Sequence, residues 1–306
     1  MRRRTMMYLP GNNPNMLLRG HLFRPDGLIL DLEDSVPQKE KDAARILVQK
    51  ILSWQDFGSC EVSVRVNGMD TEFWREDLEA VASAAAVNPQ VDGIRLPKAE
   101  SAAMASLLDE ALSELEEKHG LKAGHFTIFC LLESAKAVWK AFDIATASSR
   151  ITGITPGGED LAADLRTSRS AGESELDWIR RMTLVAGRAA GVDVLDTAYP
   201  RIHDLEGLRE QTAFVRQLGF DGKNVLHPGQ IPIIHEVYTP TRQETENSLR
   251  ILRAAEEAAR KGQGAVAVDG KLVDVPVIKR ARYLLSLAGM TPMKDGMESG
   301  EEGKRP

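Results

Sequence analysis

The chain has 306 residues, with 39 basic and 45 acidic side chains, a formal charge of −6 and a pI of about 5.7. That length, with 42% hydrophobic and 27% charged residues, supports a large core without disulfide or metal staples and excludes collagen-like, disordered and small secreted classes. The acidic balance argues against a nucleic-acid binder, which is normally basic overall. Too short an apolar run follows Arg2–Arg3–Arg4 for it to read as a signal peptide. No apolar stretch approaches the ~20 residues that span a bilayer. Cys60 and Cys130 stand in apolar surroundings without metal-ligand spacing, and are expected as buried, reduced thiols. The expectation is a soluble cytoplasmic enzyme with neither nucleic acid nor membrane as a partner.

Short β-rich runs alternate with longer helical patterns along the chain. MMYLP at 6–10 opens the series and GLILDLED at 27–34 follows. A helical stretch at 39–52, with Ala43, Ile46, Leu47 and Leu52 on roughly one face, leads to VSVRVNG at 62–68. DGIRLPK at 92–98 precedes a helical stretch at 100–120 that stops at Gly120. TIFCLLES at 127–134 and ITGITPGGED at 151–160 come next, and a helix at 178–191 stops at Gly191. VDVLDTAY at 192–199 and KNVLHP at 223–228 complete eight units. Eight strands, each followed by a helix, predict an α/β fold, the (β/α)8 TIM barrel, over residues 1–235. No G-x-G-x-x-G follows an early strand, which disfavours an open dinucleotide-binding sheet.

Beyond the barrel, a long charged helix at 241–262, a hairpin turning at Asp269–Gly270 and a last helix at 275–288 predict a C-terminal helical extension over 236–289. Residues 290–306, rich in Gly, Pro and charge, read as a disordered tail. The long helix carries an apolar face of Ile251, Leu252, Ala255, Ala258 and Ala259. Such a face must be buried, and a neighbouring subunit is the expected cover, giving a homo-oligomer, a trimer by preference, with the extension as a lid.

Barrel active sites lie at the carboxyl ends of the strands, where polar residues otherwise have little reason to stand. Strand two ends in Asp31, Glu33 and Asp34, strand three carries Arg65 and Asn67, and strand four ends in Pro97–Lys98. Strand five ends in Glu133–Ser134 and strand six in Gly157–Gly158–Glu159–Asp160. One carboxylate from each of two adjacent strands, Glu133 and Asp160, is how proteins hold Mg²⁺, which keeps waters and takes its other ligands from the substrate. Each acid alone also suits a helix start; as a pair beside Arg65 they read as metal ligands. Alternation turns Arg65 to the same face as Ser63 and Asn67, opposite Val64 and Val66. A buried guanidinium needs a partner, either a bidentate substrate carboxylate or an ion pair with Glu33 or Asp34. His21, His119, His125, His203 and His235 have no evident partner. His227 reads more readily as structural than catalytic. Without a G-x-S-x-G elbow or a Ser–His–Asp order, activated-serine hydrolysis is disfavoured.

These segments carry a resemblance. Y-L-P-G-N-N-P at 8–14, L-D-L-E-D-S-V at 30–36, V-R-V-N-G at 64–68, R-L-P-K at 95–98, L-E-S-A at 132–135 and G-G-E-D-L at 157–161 are similar, in order, to the citrate lyase β-subunit family. That family lies within the HpcH/HpaI aldolase/citrate lyase superfamily, which also holds malyl-CoA and citramalyl-CoA lyases. R-T-S-R-S at 166–170 resembles the β subunits, whereas His227–Pro228–Gly229–Gln230 is closer to the stand-alone enzymes. D-G-K-L-V-D-V-P at 269–276 extends the match into the extension.

The resemblance implies a carbon–carbon lyase that cleaves citryl bound to an acyl-carrier protein into oxaloacetate and an acetyl thioester, or alternatively a malyl- or citramalyl-CoA lyase. It implies Mg²⁺ on Glu133 and Asp160, and substrate held by Arg65, Glu133, Gly157 and Gly158. Glu33 and Asp34 would order metal-bound waters, and Asp274 would be lent to a neighbouring subunit's site. The implied partners are an acyl thioester on a carrier protein or CoA, citrate lyase α and γ subunits, and further copies of the chain.

Overall fold

A computed structural model describes residues 2–263 and 265–290; of the expected tail, all but Met290 lies outside the described residues. The eight strands are β1 Thr5–Pro10, β2 Gly27–Asp31, β3 Glu61–Arg65, β4 Val91–Leu96, β5 Thr127–Leu132, β6 Ile151–Pro156, β7 Asp193–Asp196 and β8 Gly222–Val225. All neighbours pair in parallel and in chain order, and β1 pairs with β8 to close the barrel. Helices α1 Pro14–Arg19, α2 Lys41–Trp54, α3 Trp74–Ala85, α4 Ala102–His119, α5 Ala135–Trp139, α6 Ala141–Ala145, α7 Gly158–Asp164, α8 Asp177–Ala190, α9 Leu205–Leu218 and α10 Gln230–Tyr238 connect and follow them.

The strands form because their runs of Val, Ile, Leu and Met are buried on both faces, as parallel strands require. Outward residues such as Leu28, Leu30, Val62, Val64, Ile94 and Ile128 pack against the helices in one continuous core. Inward residues Met6, Ile29, Phe129 and Leu195 form a smaller plug, with Tyr8 above it. The stops at Gly120 and Gly191 are both left-handed, with φ of 67° and 75°, the conformation in which a helix ends most readily and a Cβ is least welcome. In α2 the buried face is Ala44, Arg45, Val48, Ile51 and Leu52, whereas Ala43 and Ile46 are exposed. That face lies one residue round the helix from the expected one. Arg45 lies on that face with its stem buried, while its guanidinium pairs with the exposed acids Asp42 and Glu76.

Cys60 and Cys130 are both buried and unbridged. Burial pushes their thiols up to about 11 and about 12, so both stay protonated. Among the described residues no helix is long and apolar enough to cross a membrane.

The barrel unit runs to Tyr238 and a second unit starts at Thr239. The expected boundary at 235 falls inside α10, which packs on α9 and β8. In the second unit, α11 Arg242–Arg260 begins with a capping box between Thr241 and Glu244. β9 Val266–Val268 and β10 Lys271–Val273 make an antiparallel hairpin, and α12 Val275–Leu287 follows. Leu252 packs with Ala281 and Leu285, flanked by Leu249, Ile251 and Ile278. The apolar face of α11 is thus covered in part by α12 of the same chain, so that face alone does not demand a neighbouring subunit.

Candidate active site

One group of polar residues gathers at the carboxyl ends of β2 to β6. Asp31 and Arg65 are register partners on adjacent strands, both buried and turned inward. Arg65 donates through Nε to Asp31 Oδ1 at 2.6 Å and through Nη2 to Oδ2 at 2.7 Å, a bidentate fork. Asp31 also accepts the backbone N–H groups of Glu33 and Ser35. Burial works to raise its pKa, but Arg65 and these donors outweigh it and hold the carboxyl below the usual range. The remaining nitrogen, Nη1, lies 2.9 Å from Glu33 Oε2 and 3.5 Å from Asp34 Oδ2. The guanidinium also lies over the ring of Tyr8, 5.0 Å from its centroid. Burial lifts the Tyr8 phenol to about 12, so it remains a proton donor.

Two buried acids face this arginine. Glu33 pairs by distance with both Arg65 and Lys98, whose Nζ is 3.0 Å from Oε1, although neither contact is aligned as a hydrogen bond. Burial keeps Glu33 above the ordinary carboxylate range despite those cations. Glu133 follows β5 directly and is 6% exposed; its Oε2 accepts the Lys98 backbone N–H at 2.8 Å. Burial first, and then the charge of Glu33, push Glu133 up to about 8, with Asp160 adding to the effect.

Gly157 and Gly158 join β6 to α7, and both of their amides are engaged. Gly157 donates to Leu132 O at 2.9 Å and Gly158 to Thr197 Oγ1 at 3.0 Å. What these glycines supply is room rather than donors. A Cβ on Gly157 would stand 2.4 Å from Glu133 Cγ, and one on Gly158 would stand 2.5 Å from Arg169 Nη1. The chain then delivers Asp160, exposed, into the first turn of α7.

This donor set fits a hard divalent cation. A buried carboxyl resists ionisation for want of positive charge, and a second, exposed carboxylate stands at the end of the adjacent strand. Two carboxylates leave the other positions to water and substrate, as Mg²⁺ prefers. Among the described residues no three of His, Cys, Asp or Glu converge as an all-protein cage. Glu133 and Asp160 are the residues that would hold the ion.

The structure thus brings Glu33, Asp34, Arg65, Glu133, Gly157, Gly158 and Asp160 to the same end of the barrel. Asp274 belongs to the second unit, where its Oδ1 caps α12 by accepting the Val277 amide at 3.3 Å. Among the histidines, His119 meets Glu79, His125 meets the Val91 carbonyl and His235 meets Thr5, all structural contacts. His227 Nδ1 accepts the Gly229 amide within its own turn.

Residue-type reasoning passed over Asp31 as the main partner of Arg65, and alternation from Ile29 would have placed it inward. It noted Lys98 at the end of strand four, directly after Pro97, but gave it no role. A further omission is the quartet Glu173, Arg180, Asp196 and Lys223, fully buried between β7, β8 and α8. There Asp196 takes Arg180 at 2.8 Å and Lys223 at 2.5 Å, and Arg180 takes Glu173 at 2.5 Å. Arg169 of the R-T-S-R-S segment pairs with Glu173 and reaches over Gly158. No spacing rule in the sequence points to that quartet.

Residues 4–228 match the model of the HpcH/HpaI aldolase/citrate lyase family. The chain is 41% identical over 293 residues to citrate lyase subunit beta of Leuconostoc mesenteroides subsp. cremoris, covering 96% of this chain and 95% of the relative. It is 35% identical over 285 residues to a (3S)-malyl-CoA thioesterase of Cereibacter sphaeroides, covering 93% of this chain and 94% of that protein. Among solved structures it is similar to the protein CitE of Mycobacterium tuberculosis in complex with magnesium, acetoacetate and coenzyme A. That match has a TM-score of 0.75 and 30% identity, covering 94% of this chain and 98% of the other.

Proposed function

Because the chain belongs to the HpcH/HpaI aldolase/citrate lyase family, we propose that it is a Mg²⁺-dependent oxo-acid lyase that cleaves a citryl thioester, carried on an acyl-carrier protein, into oxaloacetate and an acetyl thioester. The observation that carries this reading is the placing of Glu133 and Asp160 on adjacent strand ends beside Arg65. Supporting it are the relative named citrate lyase subunit beta and the neighbour complexed with magnesium, an oxo acid and coenzyme A.

The chemistry breaks a carbon–carbon bond next to a hydroxyl-bearing carbon. The hydroxyl loses its proton and becomes the carbonyl of the oxo acid, and the other fragment leaves as a thioester enolate that gains a proton at carbon. Bound at Glu133 and Asp160, Mg²⁺ would supply Lewis-acid polarisation of the substrate oxygens. Arg65 Nη1, the nitrogen not committed to Asp31, is the group available to a substrate carboxylate, with Glu33 free to remain on Lys98 meanwhile. Glu33 and Asp34 would order metal-bound waters. Gly157 and Gly158 let the chain lie close against Glu133 and Thr197. Asp274 is assigned, on the resemblance, to protonation in the site of another copy within a homo-oligomer, a trimer by preference. Citrate lyase α and γ subunits are the partners that a β subunit would keep.

A second reading is a malyl-CoA or citramalyl-CoA enzyme acting alone, which the 35% identity to a (3S)-malyl-CoA thioesterase favours. Turnover of citryl- and malyl-thioesters, each presented on carrier protein and on CoA with Mg²⁺, tests both. Cleavage of citryl-carrier in preference to the others supports the proposal. Preference for malyl-CoA replaces it with the second reading, and no cleavage with Mg²⁺ present overturns both.

A further inference from the structure

Lys98 touches acids from two different strand ends, Glu33 after β2 and Glu133 after β5. It is exposed, yet its backbone is left-handed, with φ of 47°, a conformation uncommon for a side chain with a Cβ. In a regular strand successive amides point to opposite neighbours. Here the amides of Lys98 and Ala99 both turn to β5 and its extension. Lys98 donates to Glu133 Oε2 at 2.8 Å, and Ala99 donates to Leu131 O at 3.0 Å. The positive φ between them is what turns both amides to the same side. Local strain of this kind persists only where the surroundings hold it. What holds it is visible: buried Pro97 and Ala99 on either side, and the Lys98 ammonium 3.0 Å from Glu33 Oε1.

We infer that Lys98 is a positioning residue for the metal site, in which its ion pair with Glu33 locks a strained turn whose amide fixes Glu133. With Oε2 tied to that amide and Cγ pressed against Gly157, Glu133 has little freedom to turn. A ligand held in this way loses less on binding an ion, and hydrogen-bond partners of ligands commonly carry ten- to a hundredfold effects on affinity. The inference rests on the reading of Glu133 and Asp160 as the Mg²⁺ ligands.

The test is Mg²⁺ binding to the full chain by calorimetry, without substrate, for the native protein and for Lys98→Ala, Lys98→Gly and Lys98→Arg, with thermal melts alongside. Lys98→Ala removes the ion pair but keeps a Cβ that disfavours the turn, so its Kd should rise about five- to tenfold. Lys98→Gly removes the same ion pair yet adopts a left-handed backbone freely, so its Kd should return to within about threefold of the native value. Lys98→Arg keeps a cation for Glu33 and should also bind as the native chain does.

If the ammonium mattered only as charge, Ala and Gly would bind Mg²⁺ equally, and more tightly than the native chain. Equality of these two variants, or the reverse order, overturns the inference. Should Lys98→Ala fail to fold, the same ordering read between Lys98→Ser and Lys98→Gly decides. Glu133→Gln tells the two readings apart. Native-like Mg²⁺ binding by that variant overturns the metal assignment itself, whereas its loss together with equal Ala and Gly values overturns only the role of Lys98.

Discussion

Asp31 and Arg65 sit directly across from each other on β2 and β3, and Arg65 gives two of its three guanidinium nitrogens to the two oxygens of Asp31. The pair fixes the guanidinium plane and leaves Nη1 facing Glu33 and Asp34. It also makes Arg65 a residue with two jobs, one architectural and one toward substrate.

A lysine cannot do both. Arg65→Lys provides one point charge where the site uses a planar fork, so it should fail almost as badly as Arg65→Ala. Loss of charge-assisted hydrogen bonds of about 3 kcal/mol corresponds to roughly a hundredfold in kcat/KM. Steady-state kinetics with the citryl thioester read this directly. Near-normal turnover by the lysine variant would show that the fork is not needed.

The buried carboxyl of Glu133 sets a pH dependence for metal binding. Its pKa is raised from an ordinary value to about 8, chiefly by burial and the charge of Glu33, so it is mostly protonated at pH 7 without a cation. A cation needs the ionised form, so binding must release about one proton below pH 8. The sign follows: Mg²⁺ affinity should rise about tenfold per pH unit up to about 8 and then level off. Calorimetry in two buffers of different ionisation enthalpy measures the proton released. A flat affinity profile between pH 6 and 8 would contradict the assignment, and Glu133→Gln should lose both affinity and slope.

The barrel was legible in the sequence because each parallel strand is an apolar run ended by polar residues. Hydrophobic period and helix stops at Gly120 and Gly191 marked most boundaries. The charged strand ends were legible for the same reason, since Arg65, Glu133 and Asp160 break runs that should be apolar. What stayed hidden is pairing. Asp31 takes Arg65 because the parallel register of β2 and β3 sets two residues 34 positions apart side by side, and the left-handed turn at Lys98 leaves no mark in residue type. The face of α2 differs from the expected one because a charged residue, Arg45, lies on the buried side with its guanidinium paired to Asp42 and Glu76, which a hydrophobic pattern does not register.

The quartet behind β7 and β8 predicts acid sensitivity. Asp196 is fully buried, and Lys223 and Arg180 outweigh the effect of burial to bring its pKa down to about 2. A depressed acid contributes stability that is present above its unfolded pKa near 4 and is lost as pH falls toward 2. Denaturant unfolding should therefore weaken steeply between pH 4 and 2. Asp196→Asn would leave two buried cations short of a partner, and should cost about 3–5 kcal/mol at pH 7 while flattening that acid slope. Unchanged stability in Asp196→Asn would mean that the quartet is dispensable.

Asp274 allows a test of whether sites are shared between copies. Its side chain caps α12, so Asp274→Ala would cost about 1 kcal/mol of helix stability and confuse the result. Asn also caps, so Asp274→Asn removes the acid and keeps the helix. Alone, Asp274→Asn and Arg65→Ala should each be nearly inactive if both residues act in catalysis. The two variants are unfolded, mixed in equal amounts and refolded together so that chains combine at random. If Asp274 serves the site of another copy, a complete site needs Arg65 from an Asp274→Asn chain and Asp274 from an Arg65→Ala chain. Each condition is met about half the time, so about a quarter of the sites, and of the native activity, should return. If each chain supplies its own Asp274, no complete site can form at any mixing ratio. Light scattering on the same samples reports whether the copies associate, and activity that stays at the level of the single variants in an associated sample rules out sharing.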